Sequence, residues 1–475
     1  MEEWTFPPDY AADYCPPNGQ KYWFPHRETM DPEARDAAIL QRIRDVMAYA
    51  WTHSPFYRRH WSAAGIEPGD IRSLDDFERV PVVTKQDLRA AQAAHPPFGD
   101  YLCIPDSEIY HIHGTSGTTG RPTAFGIGRR DWQTIANNHA RIMWGMGFRP
   151  GDTVMITAIF SLYMGSWGTL AGAERLGCKA FPFGAGAPGM TSRALQWLGI
   201  MRPRGLYATP SYALRLAEVA EEEGIDPRSF GLEIMFFSGE PGASVPGIRD
   251  RIADTFGARV IDCGTMAEVT PWMNAGGSAE SDGMLLWQDI VYTEVADPTT
   301  HRRVPFGAQG TPIYTNLERC SQPMIRLVSG DLTHWVDTPS PCGRTYPSLP
   351  RGIYGRIDDM FQVRGENVYP SEIHAVLNQL NGYGGEHRIV ITRERAMDAL
   401  LIQIEPTREL AAAGAAAVDD LRQRAAAALQ RTLGLQVTLG MVDPGSFPRT
   451  DFKARRVVDD RDLFRTLHDQ VGGQT

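Results

Sequence analysis

His113-Gly114-Thr115-Ser116-Gly117-Thr118-Thr119-Gly120-Arg121-Pro122-Thr123 is the most informative stretch of this sequence. Its three glycines and five hydroxyl residues make a loop free to turn N–H and O–H groups onto phosphate oxygens. Arg121 adds a positive charge suited to outer phosphates. The Walker spacing G-x-x-x-x-G-K-[ST] is absent, so this is a different kind of phosphate loop. Alone, the stretch is better explained as a polar surface turn; its surroundings decide otherwise.

Outward from it, short apolar runs alternate with helical stretches between about Tyr110 and Ile325. The pattern predicts strands over 153–157, 180–183, 205–208 and 232–237, with helices over 164–175 and 212–223. That rhythm implies βαβ units and a largely parallel sheet, an α/β fold whose ligands bind where loops leave the carboxyl ends of strands. Upstream, 1–105 reads as a helical, peripheral segment. The run 32–52 puts Ile39, Leu40, Ile43, Val46 and Met47 on one stripe, and Ser73 and Thr84 are candidate N-caps. Downstream, the grain changes to a small α+β unit: helix 371–380, strands 388–392 and 399–404, an Ala-rich helix 411–433 and a strand 437–441. The expected division is an N-terminal domain over 1–357 (nucleotide and acid binding in 106–357) and a mobile C-terminal domain over 358–475.

At 475 residues the chain exceeds one ordinary hydrophobic core. A net charge of −10 argues against nucleic-acid binding, which needs basic surfaces. No run reaches the roughly 18 apolar residues of a membrane span. The acidic start Met1-Glu2-Glu3-Trp4 lacks a secretory signal, and the six scattered cysteines read as reduced thiols, so a cytoplasmic protein is expected.

Five further segments follow the phosphate loop in a telling order: Ser238-Gly239-Glu240-Pro241; Asp262-Cys263-Gly264-Thr265-Met266-Ala267-Glu268; Met324-Ile325-Arg326 to Gly330-Asp331; Gly355-Arg356-Ile357-Asp358-Asp359-Met360 to Tyr369-Pro370; and Pro448-Arg449-Thr450-Asp451-Phe452-Lys453. Together with the loop they resemble the motif series of the adenylate-forming superfamily, which includes acyl- and aryl-CoA ligases. Within it the chain is most similar to phenylacetate-CoA ligases, through Ser54-Pro55-Phe56-Tyr57-Arg58-Arg59, Gly172-Ala173-Glu174-Arg175-Leu176-Gly177, Thr209-Pro210-Ser211-Tyr212 and the hinge run.

The resemblance implies ATP-dependent activation of an aromatic carboxylic acid to its acyl-adenylate, then thioester formation with coenzyme A, releasing AMP and pyrophosphate. It implies ATP contacts at Thr115, Ser116, Gly117, Thr118, Thr119, Gly120 and Arg121, at Ser238, Gly239, Glu240 and Pro241, and at Asp262, Cys263, Gly264, Thr265 and Asp331. Glu268 would hold Mg2+, Lys453 would bridge the substrate carboxylate and the α-phosphate, and Arg356 would assist at the ribose. Asp358 would be the hinge. The acyl pocket would be lined by Phe160, Tyr163, Trp167, Ser238, Met266 and Ala267, whose aromatic members suit a flat ring. A homodimer would be ordinary for the family.

Three departures mark a specialised branch, such as secondary metabolism. Gly264 stands where relatives carry an adenine-stacking tyrosine, with Thr265 at a usual glycine, so stacking is expected to be weaker or supplied elsewhere, Phe237 being one candidate. Ser278, Leu285, Ser340 and Cys342 stand where many relatives bind zinc; one thiol cannot make the tetrahedral site, so no structural zinc is expected. Leu327-Val328-Ser329-Gly330-Asp331 thins the positive charge at the nucleotide. Transfer of the acyl group to a carrier-protein thiol, an amine or another nucleophile stays open, because Arg449, Arg455 and Arg456 suit CoA phosphates or an acidic carrier equally.

Overall fold

The computed structural model describes residues 5–115, 123–184, 189–264, 266–357, 361–363, 366–394, 397–447 and 456–459. The expected parallel sheet is present. Lys179–Pro182, Thr153–Ile156, Gly205–Ala208, Ile234–Phe237 and Arg259–Gly264 pair in parallel in that order, and Ala275–Ser278, Ser281–Leu286 and Ser348–Leu349 extend it antiparallel. Successive side chains of these strands enter two different cores, as the period of two requires. Val154, Ile156, Tyr207, Phe236 and Ile261 join one apolar cluster, whereas Met155, Leu206, Met235, Phe237 and Val260 join the other. Both faces are therefore buried, which is why the strands read as unbroken apolar runs. Pro210–Glu222 and Pro246–Phe256 contribute to the second cluster; Arg129–Met146 and Met164–Leu176 contribute to the first.

The 1–105 segment, expected to be peripheral, instead builds the first core. Helix Pro32–His53 is capped by Asp31 and buries Ile39, Ile43, Val46 and Met47 completely. Ser73 and Thr84 cap Leu74–Phe77 and Lys85–Ala94 as anticipated. One side chain ties this segment to the second sheet, formed by Val291–Ala296, Gln309–Asn316, Asp331–His334 and Gly355–Arg356. The buried Arg326 guanidinium pairs with both Glu294 oxygens at 3.2 and 3.3 Å and donates to the carbonyls of Val80 and His301 at 2.7 and 2.8 Å. Its own backbone carbonyl accepts from Val83 N–H at 2.9 Å, and Val328 N–H returns a bond to Val83 at 2.9 Å. Arg326 holds φ +53, a strained conformation for a side-chain-bearing residue, and these bonds over-determine it.

The C-terminal unit has its own apolar cluster around Ile389, Ile391, Ile402, Ile404, Ala425 and Leu429. Tyr383–Glu394 and Met397–Pro406 form its central hairpin, flanked in parallel by Thr438–Met441 and Val457–Asp459. The Ala-rich stretch is two helices, Arg408–Ala412 and Ala415–Leu433, because Gly414 turns to φ +101 between them.

Replacing Arg326 with Met strands the buried Glu294 carboxylate and the carbonyls of Glu78, Val80 and His301. The expected loss of stability is about 3–5 kcal/mol, read by urea unfolding, with partial recovery in the double variant Arg326→Met, Glu294→Gln. A loss under about 1 kcal/mol would show that water replaces the clamp.

Candidate active site

The loops leaving the carboxyl ends of the parallel strands converge on one cleft edge. After Ile156 the chain runs to Tyr163, after Phe237 to Ser238, and after Gly264 to Met266. Tyr163 and Ser238 are brought together: Tyr163 Oη lies 3.0 Å from Ser238 Oγ and 3.2 Å from Tyr207 Oη, and Tyr207 Oη also bonds Ser238 Oγ. Burial pushes the Tyr163 and Tyr207 hydroxyls up, so all three groups stay neutral hydrogen-bonding partners. Tyr207 is absent from the sequence expectation. It sits on a strand read as core, and only the sheet's register aligns it with Phe236 beside Ser238.

Gly264 explains itself here. It adopts φ +140, and a Cβ on it would lie 3.2 Å from that of Ser238. A tyrosine at this position would be strained and would crowd the hydroxyl cluster. Phe237 does not take over adenine stacking, because it is fully enclosed in the second core and no ring face is free. Cys263 is likewise turned inward, its Sγ 3.2 Å from the Phe237 carbonyl, so only its backbone borders the cleft. Glu240 Oε1 accepts from Ser211 N–H at 2.7 Å, bracing the segment that follows Ser238 against helix Pro210–Glu222.

The phosphate loop joins an antiparallel hairpin, Ile109–Thr115 with Thr123–Gly128, closed by Thr115 Oγ1 and Thr123 Oγ1 at 2.7 Å. His111 stacks on Trp132 at 3.8 Å, and Gly114 N–H donates to the Leu162 carbonyl at 3.4 Å, tying the hairpin to the loop before Tyr163. Ser116, Gly117, Thr118, Thr119, Gly120 and Arg121 lie outside the described residues, as do Thr265, Asp358 and Lys453.

Glu268 is 2% exposed, and its Oε1 lies 3.5 Å from Lys85 Nζ. Its Oε2 is buried with no hydrogen-bond partner among the described residues. Arg319, itself buried, donates to the Glu268 carbonyl at 2.8 Å, and Asn316 Nδ2 to that of Thr270 at 2.6 Å, so the glutamate sits on a fixed turn. Sequence reasoning missed Lys85 and Arg319. A signal for Lys85 existed: it directly follows the Thr84 cap, the positive end of a helix dipole, where a cation is unfavourable unless another anion holds it. Asp331 and Arg356 are brought together, as register partners on adjacent strands with Nη1 to Oδ1 3.3 Å.

On the acyl side, Phe160 meets Trp167 edge to face at 5.3 Å, and Trp167 Nε1 donates to the Ser161 carbonyl at 2.8 Å. Met266 is buried and Ala267 partly so. The Trp272 indole lies so close over helix Met164–Leu176 that a Cβ on Gly168 would fall 1.6 Å from its Cη2. Only glycine permits this approach.

Asp262 gives a pH prediction. Burial pushes its carboxyl up to about 7, against the backbone N–H bonds it accepts from Ser244 and Cys263. The folded state thus keeps a proton that the unfolded chain loses near pH ~3.9. Stability from this group falls as pH rises through that window and levels off above 7. Asp262→Asn is expected to gain on the wild type by a few kcal/mol between pH ~4 and ~8 in paired thermal melts. A constant difference would mean that Asp262 is ionised throughout.

The profile of the AMP-binding enzyme C-terminal domain matches residues 365–461. The phenylacetate-coenzyme A ligase of Thermus thermophilus is 32% identical over 92% of this chain and 98% of its own. That of Escherichia coli K12 is 30% identical over 92% and 97%. A crystal structure of 2-hydroxyisobutyryl-CoA ligase in the postadenylation state, with 2-HIB-AMP, is 64% identical over the whole of both chains and superposes with TM-score 0.94. The same enzyme with 2-HIB-AMP and CoA in the thioesterification state superposes at 0.76. The chain belongs to the phenylacetate-CoA ligase family of adenylate-forming enzymes: it is an AMP-forming acid–CoA ligase, which converts a carboxylic acid to its acyl-adenylate and then to the CoA thioester.

Proposed function

We propose that the acid is a short, branched 2-hydroxy acid. The observation that carries this reading is what packs on helix Met164–Leu176: Trp272 fills the space over Gly168, and one turn earlier Gly165 faces Tyr163 and Tyr207, which share the hydroxyl cluster with Ser238. A filled floor favours a small acyl group. A hydroxyl cluster pairs with a substrate hydroxyl and disfavours the analogue lacking it, because buried polar groups are then unpaired. The 64%-identical relative is named for 2-hydroxyisobutyrate, which agrees. An aromatic acid is the second reading, favoured by the Phe160–Trp167 pair and by the relatives named for phenylacetate.

In the proposed mechanism a carboxylate oxygen attacks the α-phosphorus of ATP and the bond to pyrophosphate breaks. The 115–121 loop cradles the phosphates, Asp331 accepts the ribose hydroxyls with Arg356 beside it, and Lys453 bridges carboxylate and α-phosphate, offsetting charge as it builds. Glu268 Oε2, a buried oxygen without a hydrogen-bond partner among the described residues, fits Mg2+, which takes one or two carboxylates beside phosphate and water oxygens. When bound, the ion neutralises phosphate charge; Lys85 holds the other oxygen of the same carboxylate. The C-terminal domain, over 358–475, then turns about Asp358. The CoA thiolate attacks the acyl carbon and the bond to AMP breaks. We assign the enzyme to the cytoplasm on its six free cysteines. No helix among the described residues is long and apolar enough to cross a membrane.

AMP and pyrophosphate release should be measured over 2-hydroxyisobutyrate, lactate, isobutyrate, benzoate and phenylacetate, each with and without CoA. CoA-dependent turnover should be highest with 2-hydroxyisobutyrate, exceeding isobutyrate by about 100-fold or more in kcat/KM. Tyr163→Phe should shrink that preference roughly tenfold, and Trp272→Ala should raise aromatic acids relative to the short acid by a similar factor. Highest turnover with phenylacetate or benzoate in the unaltered enzyme would replace this reading with the aromatic one.

Lys85→Met should raise the KM for Mg·ATP about tenfold while leaving the KM for the acid within about twofold. Equal effects on both would mean that Lys85 acts on the fold.

A further inference from the structure

Gly247 occupies the second position of helix Pro246–Phe256, where no positive φ calls for glycine and where glycine is a poor helix former. What calls for it lies across the domain boundary. A Cβ on Gly247 would fall 2.6 Å from the carbonyl oxygen of Asn378, 2.9 Å from its carbonyl carbon and 3.3 Å from its Cβ. Those first two atoms are backbone, so no rotamer change relieves the contact. Asn378 ends helix Pro370–Leu377, and its side chain is folded back, with Nδ2 donating to the His374 carbonyl at 2.7 Å. The seat continues on both sides. Ala375 is 8% exposed and belongs to the apolar cluster of Ile248 and Ile252. One turn beyond Gly247, Arg251 Nη1 comes within 3.1 Å of where a Gly385 Cβ would be. The next residue, Glu386, pairs with Arg456 at 3.1 Å, three residues past Lys453.

We propose that Gly247 is a positioning residue for adenylation: its missing side chain lets helix Pro370–Leu377 seat on Pro246–Phe256, and this seat holds the C-terminal unit in the arrangement that serves the first half-reaction. The arrangement is the one shared with the relative's postadenylation state. On this proposal thioester formation proceeds in the other arrangement, the state in which the same relative superposes at only 0.76, and does not need the contact. This rests on the reading that Lys453 acts in the first half-reaction. A Cβ at 247 raises the energy of the adenylating arrangement alone and shifts the population away from it.

The test separates the two half-reactions in the full-length enzyme. Acid-dependent ATP–pyrophosphate exchange reports the first; thioester formation from synthetic 2-hydroxyisobutyryl-adenylate and CoA, with phenylacetyl-adenylate as a second arm, reports the other. Gly247→Val should lower exchange roughly 10- to 100-fold and Gly247→Ala less, with thioester formation within about threefold of wild type. Retained thioester formation also shows that the variant is folded. Equal losses in both half-reactions, or unchanged exchange in the valine variant, would overturn the proposal. Lys453→Ala, run in parallel, separates the underlying reading: full exchange in that variant sinks the role of Lys453 and with it the route proposed from Gly247.

Discussion

The buried Arg326 guanidinium is the constraint on which the site's geometry hangs. A charge with no water around it is tolerable only if its N–H groups are matched, and Glu294 with the carbonyls of Val80 and His301 matches them. The backbone of the same residue exchanges bonds with the Val83 strand edge, so the N-terminal segment cannot slide along the second sheet. Val83 leads directly to the Thr84 cap and to Lys85, whose ammonium meets Glu268. A segment that looks like packing thus delivers a cation to the buried Glu268 carboxylate. It does so through a chain of contacts a few residues long.

The cleft itself is shaped by what glycine leaves out. At Gly264 a backbone turned to φ +140 makes room for the Ser238 hydroxyl and its two tyrosine partners. At Gly168 a bare helix face admits the Trp272 indole. The two omissions work together: one lets polar groups gather at the pocket wall, the other brings an apolar plate close. The hydroxyls so gathered are neutral, since burial holds the tyrosines protonated. On the proposed reading, selectivity for a hydroxyl-bearing acid follows from the cost of leaving buried donors and acceptors unmatched.

The same economy recurs between the domains. Helix ends pack closely where a side chain is absent, and a contact made against backbone atoms is steep, because nothing in it can swing away. A ligase that must adopt two arrangements benefits from contacts that favour one of them by modest amounts, since population shifts follow small free-energy differences.

The alternation of apolar runs and helices in 153–264 and the Thr84 and Ser73 caps were readable directly, because each depends on neighbours a few residues away. So were the motif order from the phosphate loop to Lys453 and the pairing of Asp331 with Arg356, through resemblance. The break at Gly414 inside an Ala-rich stretch was not, since the apolar stripe runs on across it. The placement of Phe237 failed for a related reason. Alternation says that neighbouring strand residues face opposite ways, but which face meets helices and which the ligand is set by layers distant in sequence. Lys85 beside Glu268, Tyr207 beside Ser238 and Trp272 over Gly168 join residues 183, 31 and 104 positions apart in a chain of 475. Local pattern and motif therefore determined the class of enzyme. The gathering of the Tyr163, Tyr207 and Ser238 hydroxyls, the packing of Trp272 on Gly168 and the contact of Gly247 with Asn378 were decided only by the folded chain, because they are distances across layers and local propensity holds no information about them.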